Sequence, residues 1–279
     1  MSRPRLAQVL AARRAQGRAA FIAYLTAGDP SLAATGLFLD ALEEAGADVV
    51  ELGVPFSDPA ADGPVIQRAC ERALAAGATL AGVLDLAARY RARGGRLPLV
   101  LFTYCNPLLR MGLEAFAARA AAAGIDGVLA VDLPPEEAGA YRRCLAARGL
   151  DTVFLAAPTT TPERLRRIAR AATGFVYYVS RLGVTGASRD LPRALAGELA
   201  AVRRAAGKPV AVGFGIARPE QARRLSRHAD AVVVGSALVR LAEGRAPVAA
   251  ARRIKALAGR LIEALGAGGR KTHGGQPCS

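Results

Sequence analysis

The stretch Ala45-Gly-Ala-Asp-Val-Val-Glu-Leu-Gly53 reads as the end of a helix, a tight turn and a buried strand. A glycine just past the last helical residue can take the left-handed conformation that stops a helix. The apolar run behind it is continuous rather than alternating, as in strands covered on both faces. The same helix-Gly-x-Asp-strand punctuation recurs at Ala123-Gly-Ile-Asp126 and Arg148-Gly-Leu-Asp151. Working outward, strand-like runs fall at 21–25, 47–52, 99–104, 127–131, 152–156, 175–180, 210–214 and 231–235. Stretches rich in Ala, Leu and Arg with helical spacing lie between them, at 31–45, 113–123, 135–148 and 162–171. Pro135 and Pro162 stand where a first helical turn tolerates proline. Serial βα units imply right-handed crossovers and a parallel sheet. Eight strands close well and closure abolishes sheet edges, so the expected fold is α/β, a single (β/α)8 TIM barrel. An open doubly wound sheet is the fallback.

The 279 residues suit one such domain, expected over 1–265, with a Gly-rich, disordered tail over 266–279. Residues 1–28 contain no acid and five arginines, a composition that resembles an organelle transit peptide. The strand-like run starting at Phe21 leaves no room for a cleaved segment. Residues 5–16 therefore read as an extra N-terminal helix of the domain.

The formal charge is +15 and the isoelectric point about 10.8. Such values occur in nucleic-acid binders. Here the arginines are spread over helices and no basic stripe with interleaved aromatics appears, so no nucleic-acid partner is expected. A positive field still attracts an anionic substrate. No apolar run is long and uncharged enough to span a membrane. Cys70, Cys105, Cys144 and Cys278 form no Cys-x-x-Cys pair, which points to a reducing cytoplasm. His228 and His273 are too few for a histidine metal site, and no metal is expected.

Two long loops follow strand ends, at 53–63 and 181–190. In barrels that face carries the active site. Glu51 lies near the C-terminal end of a buried strand, where a carboxylate is costly unless paired or protonated. Burial raises its pKa into the range useful for moving protons near neutral pH; paired with an arginine it would be merely structural. Asp58 and Asp62 belong to Ser57-Asp-Pro-Ala-Ala-Asp-Gly-Pro64, where Asp-Pro and Asp-Gly are ordinary turn formers. Three Gly-rich strand ends, Ser180-Arg-Leu-Gly-Val-Thr-Gly-Ala-Ser188, Val212-Gly-Phe-Gly-Ile216 and Val234-Gly-Ser-Ala-Leu238, let backbone N–H groups approach an anion. Together they indicate a phosphorylated small molecule; otherwise they serve tight barrel turns. Tyr177 and Tyr178 point to opposite faces of their strand, so one of them could reach the barrel mouth.

The run Glu51-Leu-Gly-Val-Pro-Phe-Ser-Asp-Pro-Ala-Ala-Asp-Gly-Pro64 resembles the signature of tryptophan synthase alpha subunits. So do Phe21-Ile-Ala-Tyr-Leu-Thr-Ala-Gly-Asp-Pro30, Tyr104-Cys-Asn-Pro107, Ser180-Arg-Leu-Gly-Val-Thr-Gly186 and Val212-Gly-Phe-Gly-Ile216. The resemblance implies retro-aldol cleavage of indole-3-glycerol phosphate to indole and glyceraldehyde 3-phosphate. It implies Glu51 as general acid/base and Asp62 as the anion that bonds the indole N–H. It places Tyr177 beside the glutamate, Thr185 against the aspartate, Tyr24, Phe102 and Leu129 around the indole, and Gly186, Gly215, Gly235 and Ser236 at the phosphate. Asp58, Pro59 and Asn106 match a surface facing the beta subunit in an alpha2beta2 heterotetramer. No cofactor is implied in this subunit; pyridoxal phosphate (PLP) belongs to the beta subunit. Two departures stand out: Ala61 replaces a common leucine, and Ala217 stands where a serine often caps a helix, a loss of about 1 kcal/mol. A barrel of the indole-glycerol-phosphate synthase kind would need a general-acid lysine. Lys208, Lys255 and Lys271 are the only lysines, and none is well placed. A regulatory subunit without turnover is a further alternative that Glu51 and Asp62 oppose.

Overall fold

The computed structural model describes residues 6–179, 193–213 and 215–266. The strands are β1 (Ala20–Thr26), β2 (Val49–Gly53), β3 (Leu99–Thr103), β4 (Gly127–Ala130), β5 (Asp151–Thr152), β6 (Phe154–Ala156), β7 (Val176–Val179), β8 (Val210–Gly213) and β9 (Ala231–Val234). All pair in parallel, in the order β5-β4-β3-β2-β1-β9-β8-β7-β6. The two ends of this ladder, β5 and β6, are halves of one chain segment interrupted at Val153. The sheet is therefore a barrel, and the expected fifth strand is present but split. Its first half pairs β4 and its second half pairs β7, the stagger that tilted strands need on closure.

Side chains alternate between two cores. Ala20, Ile22, Val49, Val100, Leu129, Phe175 and Ala211 fill the barrel interior. Phe21, Val50, Leu52, Leu101 and Tyr178 face the helices outside. The expected N-terminal helix is Leu6–Ala15. Its Leu6 and Leu10 are fully buried in the interior cluster, worth about 2 kcal/mol each, so this helix plugs one end of the barrel.

Two aspartates of the Gly-x-Asp repeats, Asp48 and Asp126, sit at that same end with Asp230, which likewise precedes a strand. Asp48 accepts the Phe21 N–H at 2.8 Å, Asp126 the Leu99 N–H at 2.8 Å, and Asp230 the Val210 N–H at 2.9 Å. Each ties the start of its own strand to the start of a neighbour. Arginines complete them: Arg13 and Arg18 on Asp48, Arg91 on Asp126, Arg14 and Arg203 on Asp230. Part of the high arginine content thus serves fold stability at the end of the barrel away from the loop at 53–63.

Most expected helices appear with their caps. Ser31 accepts from Ala34 N–H at the start of Leu32–Ala45, and Gly46 closes it at φ 84°. Thr161 caps Pro162–Ala171, with Pro162 at its first position. Pro135 differs: it lies in a turn, and the helix expected from it spans only Gly139–Ala146. The Glu137 N–H bonds back to the Pro134 carbonyl there, so a turn takes up the residues before the helix. At the start of helix Pro219–Leu225, after Ala217, the Gln221 carboxamide oxygen accepts both the Ala217 and Arg218 N–H groups at 3.0 Å. The expected boundary at 265 falls in the last turn of helix Pro247–Gly266; beyond Gly266 the tail lies outside the described residues. No helix among the described residues is long and apolar enough to cross a membrane.

Candidate active site

Glu51 sits two residues after Val49 on β2 and so shares its inward direction. It pairs in register with Tyr24 on one side and Val100 on the other. Its solvent exposure is 0%. Among the described residues neither carboxyl oxygen has a hydrogen-bond partner, so the arginine-paired alternative does not apply. Desolvation pushes the pKa from 4.5 up to about 8.

Asp62 lies in the loop between β2 and helix Pro64–Ala75. Burial raises its pKa, and the Tyr104 hydroxyl, donating to Oδ2 at 2.9 Å, partly lowers it again. The same hydroxyl accepts the Ala61 N–H at 3.0 Å. The Tyr104 ring stacks on Phe56 with centroids 4.9 Å apart. One tyrosine therefore fixes both the loop backbone and the carboxylate. Tyr104 opens the Tyr104-Cys-Asn-Pro107 motif, and nothing local in the sequence gives it this role.

A cavity of about 610 Å³ opens where the strands end, within the size range of small-molecule sites. Asp62, Tyr24, Phe102, Tyr177, Gly215, Gly235 and Ser236 all line it. The Tyr24 and Phe102 rings meet edge to face at 5.2 Å. The Tyr177 phenol is held well above its ordinary pKa by burial, with the charges of Glu51 and Asp62 adding to it. Burial raises the Tyr24 pKa too, and the charges of Asp62 and Glu51 raise it further. Tyr178 turns outward and donates to Glu198 at 3.0 Å, which decides between the adjacent pair. Glu51 and Leu129 are fully buried and do not form the cavity wall.

Thr185 and Gly186 lie outside the described residues. Asp58 and Asn106 are exposed and Pro59 half-buried, on the neighbouring loop and helix that Tyr104 ties together. Arg164, Arg240, Thr160 and Gln221 also line the cavity; nothing in sequence marked these arginines apart from the many others. No lysine among the described residues lines it: Lys208 donates to the Ala172 carbonyl and Lys255 pairs with Glu44 on the outer helices.

The family model described as "Tryptophan synthase alpha chain" matches residues 10–265. The chain belongs to this family. The tryptophan synthase alpha chain of Geobacter sulfurreducens is 51% identical over 262 residues, covering 94% of this chain and 99% of the relative. That of Burkholderia lata is 50% identical over 266 residues, covering 95% and 98%. Among solved structures, tryptophan synthase subunit alpha from Legionella pneumophila superposes with a TM-score of 0.85 at 37% identity, covering 95% of this chain and 99% of that one. A chain of tryptophan synthase from M. tuberculosis gives 0.83 at 39% identity, with the same coverage. The chain is thus a carbon–carbon lyase of tryptophan biosynthesis, and it catalyses the alpha reaction, cleavage of indole-3-glycerol phosphate.

Proposed function

We propose that Glu51 and Asp62 divide the chemistry of this cleavage between them. Glu51 starts as the neutral acid, the form that its desolvated site favours at neutral pH. It gives its proton to indole C3, which turns the ring into a cationic tautomer. The carboxylate so formed then takes the proton of the hydroxyl on the adjoining glycerol carbon. As that O–H electron pair becomes the carbonyl of glyceraldehyde 3-phosphate, the C–C bond breaks and its electrons return to the ring as indole. Asp62 stays ionised, helped by the Tyr104 hydroxyl, and accepts the indole N–H as positive charge builds there. Tyr24, Phe102 and Tyr177 enclose the ring, with Leu129 packed behind them in the barrel interior. Gly215, Gly235 and Ser236 hold the phosphate through backbone amides and the serine hydroxyl, with Gly186 joining them and Thr185 meeting Asp62.

The observation that carries this reading is one inward glutamate with 0% exposure and no hydrogen-bond partner among the described residues, in register with Tyr24, which lines the cavity. A structural carboxylate would be paired, whereas a group that alternates between two protonation states near pH 7 fits such a site. In a steady-state assay of indole release, Glu51→Gln should abolish nearly all turnover. In the native protein kcat should fall as pH rises through about 8, where the proton donor is lost. Near-normal turnover by the variant would refute the assignment.

We further propose an alpha2beta2 assembly with a tryptophan synthase beta subunit, docked over Asp58, Pro59 and Asn106. The support is a matching chain in the solved tryptophan synthase a2b2 complex of Pyrococcus furiosus, at 42% identity and a TM-score of 0.83. The alpha reaction uses no cofactor in this subunit, and PLP belongs to the partner. The enzyme works in the cytoplasm.

A further inference from the structure

Two cations at the cavity have no part in the chemistry above. Arg240 lies four residues after Ser236 in helix Ser236–Ala242, on the same helix face one turn along. Helical side chains lean back toward the start of their helix, which brings the Arg240 stem over the Ser236 turn. Gly235, Ser236 and Arg240 all line the cavity. The Arg240 guanidinium forms no ion pair with any of the described residues. Arg164 lines the cavity from the helix after β6, separated from Arg240 by the β7 and β8 strands. Its charge is shared with Glu136, 3.5 Å away and itself partly exposed. The only carboxylate on the described cavity wall is Asp62.

Backbone amides can bond a phosphate ester but carry no net charge to match its two negative ones. We propose that Arg240, with Arg164 as a weaker second, is the specificity-determining cation that selects a phosphorylated glycerol chain over an uncharged one. This rests on Gly215, Gly235 and Ser236 being the phosphate seat. The arginines touch no reacting atom, so they act on capture of the substrate and leave the bond-breaking step alone. Because Arg240 is exposed, its attraction is modest and salt-sensitive.

The test uses the full chain and both directions of the reaction. Arg240→Gln should raise the KM for indole-3-glycerol phosphate by about five- to tenfold at low salt, the scale of one exposed charge pair, with kcat within about twofold. The rise should shrink at high ionic strength, and Arg240→Lys should recover most of the affinity. In the reverse condensation the KM for glyceraldehyde 3-phosphate should rise while that for indole stays put. Adding Arg164→Gln should extend the effect. An unchanged KM in Arg240→Gln, or an equal rise for indole and the phosphate, overturns the proposal. Gly235→Val separates the layers. If it raises KM while Arg240→Gln does not, the phosphate seat stands and the arginine role falls. If neither variant moves KM, the seat lies elsewhere and both readings fall.

Discussion

Replacing Glu51 by glutamine should remove activity and at the same time stabilise the protein, by an amount that grows with pH. The carboxyl titrates near 4.5 when exposed and near 8 in its buried site. Below pH 4.5 it is protonated folded and unfolded, and it makes no pH-linked contribution. Between the two values the unfolded chain releases the proton while the folded one keeps it, so stability falls as pH rises. Above pH 8 the loss levels off. A gap of about 3.5 units is worth about 5 kcal/mol; at pH 7 about 3 kcal/mol of that is already lost. Glutamine has nearly the same shape and no charge to desolvate. Urea unfolding of both proteins from pH 4 to 9 measures the difference, and other titrating groups cancel in the comparison. The gap should be smallest at pH 4 and widen by several kcal/mol toward pH 9. A difference that does not change with pH would show that the Glu51 site does not desolvate the charge, and the acid/base reasoning would fall with it.

Tyr104→Phe removes the hydroxyl that joins Asp62 to the Ala61 N–H; kcat for indole release should drop about tenfold, the scale of 1.4 kcal/mol, while far-UV circular dichroism stays native. Asp62→Asn should slow turnover by more than about tenfold, and a smaller loss in the same assay would count against the charge-stabilising role. Asp48→Asn breaks a buried carboxylate that holds Arg13, Arg18 and the Phe21 N–H. It should cost about 3 kcal/mol in denaturant unfolding and leave the KM for indole-3-glycerol phosphate alone, since it sits at the opposite end of the barrel.

What the sequence determined by itself was whatever depends on local pattern. The glycine stops and the continuous apolar runs act within a few residues, so the strands and their serial order could be read directly. Glu51 stood out because a carboxylate inside an apolar run has no local excuse, and the long motif around it named the family. Pro135 misled because its local rule was sound but the chain had a turn to make first. What only the tertiary structure decided was everything that depends on distant parts meeting. Tyr104 reaches Asp62 across 42 positions of sequence. Tyr177 turns inward and Tyr178 outward because the barrel closes on one side of their strand. Asp48, Asp126 and Asp230 became the tie points of the barrel floor, and Arg240 differed from other arginines only once the cavity existed. Hydrogen bonds and desolvation act over a few ångströms of space, and spacing along the chain carries no record of which groups the fold will bring that close.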